Sequence, residues 1–426
     1  MELDKAILKA NMTSAPGLDG LSNKFIKHFW VYFQNTLKNY ANHCYAKGVL
    51  TDSFRTAKIK LIPKKGDITM IKNWRPISLL NCFYKLISRV LTARLRTVID
   101  KLTPVGQKGY SNTRRCQEVL ISVTKGFNYC NANNIKGGIL SIDIGKAFNS
   151  VSHRFLEEVL KFFNFGEKFR KWIKLITTNR MACVILNQTQ LSRNFVLKRG
   201  NAQGDTISPF LFNLCYQILI FKLEFDPDVV GIAREQGQAV AGALQPGQQG
   251  PPDRQHKVFA YADDGNLIIK LDHSCLLKVK NILAEFGIIS GLVGNIDKTT
   301  LTQIGSNDDI SNDIVELGFP VANEINILGM KLGKNYEDKN ASLITEKLQK
   351  ISNYWRRFNL SLPGRIAITK SLMYSQLNYL GCFINFSSTH LNNFSHVIET
   401  FVAGNLNISK KGSLLQLRTG GLVYTT

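Results

Sequence analysis

Alternating and helical patterns of hydrophobic residues predict a chain that mixes short strands with longer helices. In residues 57–63 apolar and cationic side chains alternate, which predicts a strand that ends in a turn at 64–67. Residues 79–102 show the spacing of a long amphipathic helix. Residues 210–223 are almost wholly apolar and follow Pro209, which predicts a buried helix that begins at the proline.

Two further apolar stretches carry acidic residues at their ends. Residues 138–142 predict a buried strand, and Asp143 follows it directly. The segment 257–270 predicts a hairpin of two apolar strands with Asp263 and Asp264 at its tip. Neighbouring strands lie about 4.8 Å apart, so a fold that sets these strands side by side would bring three carboxylates together.

The remaining pattern is less specific. A hairpin pair is predicted from strands at 184–186 and 195–197, and more short strands are predicted up to Leu332. Residues 227–257 are low in complexity and lack periodicity, which predicts a surface loop or insertion. No structure is predicted after about residue 409. Further helices are predicted at 22–48, 153–163, 275–287, 341–358 and 364–379.

Positive charge narrows the class of partner. The chain has 54 Lys and Arg against 31 Asp and Glu, a formal net charge of +23, which favours nucleic acid or an anionic membrane. No stretch approaches the roughly 20 apolar residues of a membrane span, and the first residues lack the profile of a signal peptide. A membrane-associated basic protein is therefore the less favoured interpretation.

The cysteines indicate a reducing compartment. All eight occur singly, without a Cys-x-x-Cys pair, so neither a disulfide framework nor a cysteine metal site is expected. We expect the protein in the nucleus or the cytoplasm, neither secreted nor bound to a membrane.

The three carboxylates suggest metal chemistry. Clustered carboxylates repel one another unless a cation neutralises them, and hard oxygen ligands suit Mg²⁺, which keeps coordination sites for substrate phosphates. Two such ions about 3.5–4 Å apart can stabilise the attacking and leaving oxygens of a phosphoryl transfer. Asp143, Asp263 and Asp264 are therefore candidate ligands of two Mg²⁺ ions. A single acid at a strand end, taken alone, is more often a solvated turn residue.

Two motifs are the most specific in the chain, Tyr-Ala-Asp-Asp at 261–264 and Asn-Trp-Arg-Pro-Ile-Ser-Leu-Leu-Asn at 73–81. With these motifs the chain resembles the reverse transcriptase domain of non-LTR retrotransposons, the long interspersed elements, from residue 15 to about residue 379. The resemblance implies an RNA-directed DNA polymerase that extends a DNA primer on an RNA template, using dNTP substrates. Matching blocks follow the family's order at 15–20, 61–67, 73–81, 107–110, 143–148, 203–209, 261–264, 291–299, 327–329 and 360–366.

The resemblance also implies roles for individual residues. Asp143 and Asp263 would bridge both metal ions, Asp264 would support one of them, and the backbone carbonyl of Ile144 would be a neutral ligand. Phe148 stands where the family has a bulky ring beneath the sugar, which would exclude a 2′-hydroxyl and select deoxynucleotides. The alternative for Phe148 is a plain core aromatic.

Five more residues are expected to bind the nucleotide. Gln203 and Gly204 begin the segment that in the family lies against the incoming base, and a glycine there permits close backbone approach. Arg75 and Lys64 are candidates for the triphosphate. Lys298 matches the family's lysine near the leaving pyrophosphate and is a candidate general acid. A solvated surface lysine is the alternative for both lysines.

The implied architecture is a right-hand polymerase of the α+β class, with an antiparallel palm sheet packed on helices. We expect fingers at 1–137, a palm at 138–335 with the insertion at 227–257, a thumb at 336–409 and a poorly ordered tail at 410–426. No obligate protein partner is evident.

The predicted thumb has the character of a nucleic-acid surface. Residues 331–370 carry nine Lys and Arg against three acids, which suits an RNA–DNA hybrid recognised by its backbone. Tyr354, Trp355 and Phe358 lie among these cations, and we expect them to form a packing face of a helix rather than to stack on bases.

Two residues beside the first predicted catalytic aspartate depart from the family. Gly145 stands where a larger, often acidic residue is usual, and Asn149 stands where an aspartate is usual. No endonuclease domain or Cys/His knuckle is evident, so the chain resembles an excised core or a truncated, degenerate copy. An inactive remnant that only binds RNA is the main alternative. Group II intron maturases, telomerases and viral RNA polymerases share the palm or its carboxylates, but Phe148 argues against ribonucleotide synthesis.

Overall fold

The structure is a computed structural model and describes residues 1–64, 66–103, 106–145, 147–187, 190–232, 257–306 and 309–404. The chain divides into two compact units, Met1–Ala322 and Asn323–Thr426. The predicted tail at 410–426 and most of the predicted insertion, residues 233–256, lie outside the described residues.

The first unit combines two sheets with helices on either side. Its strands are β1 (Thr56–Pro63), β2 (Trp74–Leu79), β3 (Gly137–Ile142), β4 (Arg180–Leu186), β5 (Gln190–Leu191), β6 (Phe195–Leu197), β7 (Val258–Tyr261), β8 (Asp264–Lys270) and β9 (Thr300–Ile304). Its helices are α1 (Glu2–Leu8), α2 (Asn23–His28), α3 (Trp30–Lys47), α4 (Asp52–Arg55), α5 (Cys82–Arg96), α6 (Ile99–Leu102), α7 (Cys116–Ala132), α8 (Ala147–Ser150), α9 (His153–Phe162), α10 (Glu167–Thr177), α11 (Ser208–Phe225), α12 (His273–Ser290) and α13 (Asn312–Val315).

The first sheet, which carries the acidic strand ends, has the order β7-β8-β3-β9 and is antiparallel throughout. Ile139 and Leu140 of its central strand β3 are fully buried, as an apolar run covered on both faces requires. Helices α7 and α11 pack on this sheet. Because α11 is apolar on all sides, it is buried along most of its length, which confirms the helix predicted at 210–223.

The second sheet has the order β2-β1-β4-β5, with β6 also paired to β4. Strand β1 is antiparallel to β2 and parallel to β4, so this sheet is mixed. The strand predicted at 57–63 and the hairpin predicted at 257–270 are both confirmed. Antiparallel pairing in the first sheet, together with the surrounding helices, confirms the predicted α+β class.

One local prediction in this unit is wrong, and in a second the two strands pair as predicted but in another register. The helix predicted at 79–102 ends at Arg96, where the Thr97 hydroxyl donates to the Arg94 carbonyl (2.7 Å) and the chain turns before α6. The strand 195–197 does not pair with 184–186 but with Arg180–Ala182. The reason is that β5 and Ser192 take the nearer positions, since the Ser192 amide donates to the Val184 carbonyl at 2.9 Å.

A helix end fixes the loop that follows α12. This helix begins at Asp272, whose carboxylate accepts from the Cys275 amide, and ends at Gly291 with φ of 77°. A side chain at Gly291 would overlap the Ser150 carbonyl, and the Ser152 amide donates to the Ser290 carbonyl at 2.8 Å. The start of α9 is therefore tied to the end of α12, and the chain leaves Gly291 toward the acidic end of β3.

The second unit consists of a hairpin and helices. Its elements are β10 (Glu324–Ile327), β11 (Met330–Gly333), α14 (Tyr336–Trp355), α15 (Leu362–Ile368), a π-helical turn at Thr369–Met373, α16 (Tyr374–Gly381) and α17 (Ser388–Ala403). The π-helical turn interrupts the helix predicted at 364–379, and α17 was not predicted from the sequence. Arg365 closes the end of α17 by donating to the carbonyls of Val402 and Ala403 at 3.2 and 2.9 Å.

The aromatic residues near the end of α14 are not a buried packing face. Tyr354 is 54% exposed and Phe358 is 49% exposed, and their rings contact each other and the ring of Trp355 at centroid distances of 5.5–5.7 Å. The expected packing face is therefore wrong for Tyr354 and Phe358. No helix in the described ranges has the length and apolarity of a membrane span.

We expect Gly265→Ala to lower the free energy of unfolding by about 1–3 kcal/mol, the usual cost of overpacking. A methyl group at Gly265 would overlap the hydroxyl of Tyr216, which is 1% exposed and stacks on Phe212. Urea unfolding measures the change.

Tyr216→Phe provides the control for this prediction, because it removes the overlapping hydroxyl. The double variant should recover part of the stability lost in Gly265→Ala. A double variant whose loss of stability equals the sum of the losses in the two single variants would contradict the predicted overlap.

Candidate active site

Strand register brings the three predicted catalytic acids to one end of the first sheet. The last ladder pair between β3 and β8 is Ile142 with Gly265, so the next residues, Asp143 and Asp264, face each other. Strands β7 and β8 close at the pair Tyr261–Asp264, which leaves Ala262 and Asp263 as a two-residue turn. Carboxylates that are far apart in sequence are therefore neighbours in space.

The turn itself has an unusual backbone. Ala262 has φ of 59°, in the left-handed region, which costs an ordinary side chain roughly 1–2 kcal/mol. Two-residue hairpin turns normally place glycine or asparagine at such positions. Surrounding contacts must hold this conformation, and the turn presents the exposed side chain of Asp263 at the tip.

Electrostatic repulsion links the three acids. Partial burial raises the pKa of Asp264, and the negative charges of Asp263 and Asp143 raise it further. Beneath the turn, burial raises the pKa of Tyr216, again with a contribution from Asp263 and Asp264. The site therefore disfavours the ionised form of Asp264, and a bound cation would relieve that cost.

The loop after α12 holds Asp143 in place. The Asn295 side-chain amide donates to Asp143 Oδ2 at 3.2 Å, and the Asn295 backbone amide donates to the Asp143 carbonyl at 2.8 Å. The Asp143 amide donates to the Thr299 hydroxyl at 3.3 Å. Sequence reasoning missed Asn295, although it lies in the Gly-Asn-Ile-Asp-Lys block from which Lys298 was chosen.

The two residues that follow Asp143, Ile144 and Gly145, also contact the loop after α12. Ile144 is buried and forms an isolated bridge with Gly294, and the Gly145 amide donates to the Val293 carbonyl at 3.0 Å. A Cβ at Gly145 would lie 3.6 Å from the Val293 carbonyl, which is ordinary contact. The fold therefore does not require glycine at position 145.

A continuous set of contacts joins Phe148 to the second sheet. The ring of Phe148 is partly buried and lies 5.0 Å from that of Phe212, and the Phe148 carbonyl accepts from the Asn201 amide at 2.7 Å. Two residues later, the Gln203 carbonyl accepts from the Ser78 amide of β2 at 2.7 Å. The segment 201–203, which contacts Phe148, is therefore attached to β2, the strand that carries Arg75.

Two features of the backbone favour glycine at position 204, where the segment meets β2. Its φ is 116°, and a Cβ there would lie 2.8 Å from the Ser78 carbonyl. The next residue, Asp205, is 4% exposed, and its carboxylate accepts from the hydroxyls of Tyr84 (2.9 Å) and Ser88 on α5. Sequence reasoning missed this buried aspartate, which anchors the Gln203–Gly204 backbone to α5.

The three predicted phosphate-binding cations are exposed. Lys64 follows β1 and Arg75 lies on β2, at the end of the ladder where Pro63 pairs with Trp74. Lys298 lies in the turn at Ile296–Lys298, three residues after Asn295. In the described part of the chain, none of these three side chains forms an ion pair with an acid, so each is available to an anionic ligand.

The donor set fits a hard divalent cation, although the side chains do not yet surround one. Within the described residues, no group of three or more acidic, histidine or cysteine side chains is arranged so that it could hold a metal ion. Carboxylate oxygens are the ligands that such ions prefer, and burial raises the pKa of Asp264, with further contributions from the charges of Asp263 and Asp143. By the chemistry of their oxygens, Asp143, Asp263 and Asp264 are therefore the candidate ligands of a divalent metal ion.

Comparison with known proteins identifies the family. The model of the reverse transcriptase (RNA-dependent DNA polymerase) family matches residues 62–332, more than half of the chain. The chain belongs to this family. This assignment confirms the predicted right-hand polymerase fold and the predicted class of enzyme, an RNA-directed DNA polymerase.

The relatives belong to retrotransposable elements. A 149 kDa protein of transposon TX1 from Xenopus laevis is 28% identical over 267 residues, which are 63% of this chain and 19% of that protein. The Pol polyprotein of a type-1 R2 element from Popillia japonica is 25% identical over 307 residues, 71% of this chain and 39% of its own length. The resemblance to non-LTR retrotransposon reverse transcriptases is confirmed.

The chain spans about two fifths or less of the curated relatives named above. Among solved structures, apo telomerase from Candida tropicalis is similar with a TM-score of 0.44 and 14% identity, over 87% of this chain and 66% of that chain.

We expect Asp264→Asn to stabilise the metal-free chain at neutral pH. Because the pKa of Asp264 is raised in the fold, its ionised form destabilises the folded state, and protonation removes this cost as the pH falls. The gain in melting temperature should be largest near about pH 7 and should shrink toward about pH 4.

Asp228→Asn is the matched control, since Asp228 makes an exposed ion pair with Lys278 near the opposite end of β8. Added Mg²⁺ should stabilise the unchanged chain more than Asp264→Asn. A melting temperature that falls at neutral pH in Asp264→Asn would contradict the electrostatic account.

Proposed function

We propose that this chain is the polymerase core of a retrotransposon reverse transcriptase, which extends a DNA primer on an RNA template with two Mg²⁺ ions. The observation that carries the proposal is the meeting of Asp143, Asp263 and Asp264 at one end of the β3–β8 ladder. Reverse transcriptases as a family use divalent metal ions, and carboxylates so arranged suit Mg²⁺.

Each acid has its own role in this proposal. Asp143 and Asp263 would hold both ions, Asp264 would support one of them, and the carbonyl of Ile144 would be a neutral ligand. Two ions held there would supply activation of the primer 3′-hydroxyl and stabilisation of the leaving pyrophosphate. The Asn295 amide supports this arrangement, because it fixes one carboxylate oxygen of Asp143 and so limits the rotation of the side chain.

The nucleotide is proposed to lie along the contacts between Phe148 and β2. The ring of Phe148 excludes a 2′-hydroxyl, and the Gln203–Gly204 backbone lies against the base. This role is supported by the bond from Ser78 to the Gln203 carbonyl, which fixes the segment on the strand of Arg75. Arg75 and Lys64 contact the triphosphate, and Lys298 donates a proton toward the leaving pyrophosphate.

The template and primer are proposed to bind as an RNA–DNA hybrid. The net charge of +23 supports a polyanionic partner, and α14 and the π-helical turn carry exposed cations, Lys347, Lys350 and Lys370, that neutralise backbone phosphates. In this proposal the fingers are residues 1–137, the palm 138–335 and the thumb 336–409. The nucleus or the cytoplasm is the expected location, since the templates and primers occur there.

We expect Asp263→Asn to reduce primer extension by about a thousandfold or more, because a ligand shared by both ions stabilises transition-state charge by several kcal/mol. The assay uses an RNA template with a DNA primer, dNTPs and Mg²⁺. Template–primer binding, measured separately, should be retained.

Asp228→Asn should extend primers at the unchanged rate, since its exposed ion pair contributes little. Unchanged extension by Asp263→Asn would reject the proposed site. A chain that binds RNA but extends no primer would instead indicate an inactive remnant.

We expect Phe148→Val to incorporate ribonucleotides at least about tenfold more readily relative to dNTPs, because the smaller side chain leaves room for the 2′-hydroxyl. The measurement is the ratio of kcat/KM for a dNTP to that for the matching NTP. Phe155→Val is the control, since Phe155 is also a partly buried ring and packs on Phe286. An unchanged ratio in Phe148→Val would assign Phe148 to the core alone.

A further inference from the structure

The turn that carries Asp263 is held from one side by the loop at 106–109. The Ala260 amide donates to the Gly106 carbonyl and the Lys108 amide donates to the Ala260 carbonyl, both at 2.8 Å. These bonds make the loop a short parallel neighbour of β7. Gly109 completes the contact, because a Cβ there would overlap the backbone of Ala262.

Within this loop, Gln107 reaches the strained residue of the turn directly. Its side chain is completely buried. Gln107 Nε2 donates to the Ala262 carbonyl at 3.0 Å, and Gln107 Oε1 accepts from the Ala262 amide at 3.0 Å and from the Gly109 amide at 2.7 Å. Backbone amides only donate and carbonyls only accept, so these partners determine which end of the Gln107 amide faces each group.

The loop is itself anchored to the core. The Asn213 side-chain amide of α11 donates to the Gly109 carbonyl at 3.1 Å, and Arg114 donates to the Gln107 carbonyl at 3.1 Å. Lys108 forms a largely buried ion pair with Glu118 at 2.8 Å. Gln107 therefore connects a rigid support to the peptide units on both sides of Ala262.

We propose that Gln107 is a positioning residue for catalysis: its side chain holds Ala262 in the left-handed conformation and thereby fixes the directions of Asp263 and Asp264. The inference rests on the proposed function for its catalytic consequence. An ordinary buried glutamine would only fill space, whereas Gln107 satisfies both polar groups of the one residue whose backbone sets the turn. Gln107 contacts no substrate and acts only through the hairpin.

The test compares Gln107→Met with Gln217→Met in the full chain. Both glutamines are completely buried, but the Gln217 side chain has no hydrogen-bond partner among the described residues. We expect Gln107→Met to lower kcat for nucleotide addition by about tenfold to a hundredfold, since small misplacement of catalytic groups is costly. Template–primer affinity should be unchanged, and Gln217→Met should retain the kcat of the unchanged chain.

A second readout does not depend on activity. Hydrogen–deuterium exchange at the Ala262 amide should become faster in Gln107→Met, while exchange within β3 stays slow. Gln107→Glu keeps the size and both accepting bonds, and its buried carboxyl in the protonated form can still donate to the Ala262 carbonyl, so its Ala262 amide should stay protected even where Gln107→Met folds poorly. If the unchanged chain extends no primer, the proposed function fails, and the exchange experiment still tests the bracing of the turn.

Three results would overturn the inference. The first is unchanged exchange at the Ala262 amide in Gln107→Met. The second is an unchanged kcat in that variant when the unchanged chain is active. The third is an equal loss of kcat in Gln217→Met, which would indicate a general effect of altering the core.

Discussion

The site depends on antiparallel pairing between β3 and β8, which forces like charges together. Asp143 and Asp264 face each other only because the ladder from Gly137–Lys270 to Ile142–Gly265 keeps its register to the end of the strands. A shift of one residue would move Asp143 out of register with Asp264. The free energy gained by burying the apolar residues of this sheet thus offsets the repulsion among the carboxylates.

The surrounding structure limits the freedom of these acids from three directions. Asn295 fixes the side chain of Asp143, Gln107 bonds the backbone of Ala262, and Tyr216 packs beneath Gly265. These contacts fix the backbone that carries the acids, because the fold has already met the cost of bringing the charges together. Polar contacts to the backbone therefore concentrate around the Ala262–Asp263 turn, because Ala262 occupies a position where two-residue hairpin turns usually have glycine or asparagine.

Local patterns in the sequence predicted the elements that carry the acids. Residues 138–142 and 257–270 are apolar and end in aspartates, so the strands and the tip followed from hydrophobic periodicity, and the family resemblance supplied their pairing. The break after Arg96 and the register of β6 were not predictable, since a threonine hydroxyl and the intervening β5 decide them. The buried stripe of α7, which includes Val119, Val123 and Phe127, was a signal that could have been used.

The supporting residues could not be identified from sequence patterns, for a physical reason. Gln107, Asn295 and Asp205 act through hydrogen bonds to residues 121 to 155 positions away or to turns formed only after folding. Periodicity reports which face of an element is buried, but it carries no information about such partners.

The most direct test of the metal-binding account is anomalous scattering from Mn²⁺ in crystals of the chain with an RNA template, a DNA primer and a non-reactive dNTP analogue. The account predicts two peaks, each about 2.0–2.2 Å from carboxylate oxygens of Asp143 and Asp263. Peaks at other positions, or none near these two side chains at saturating Mn²⁺, would contradict it.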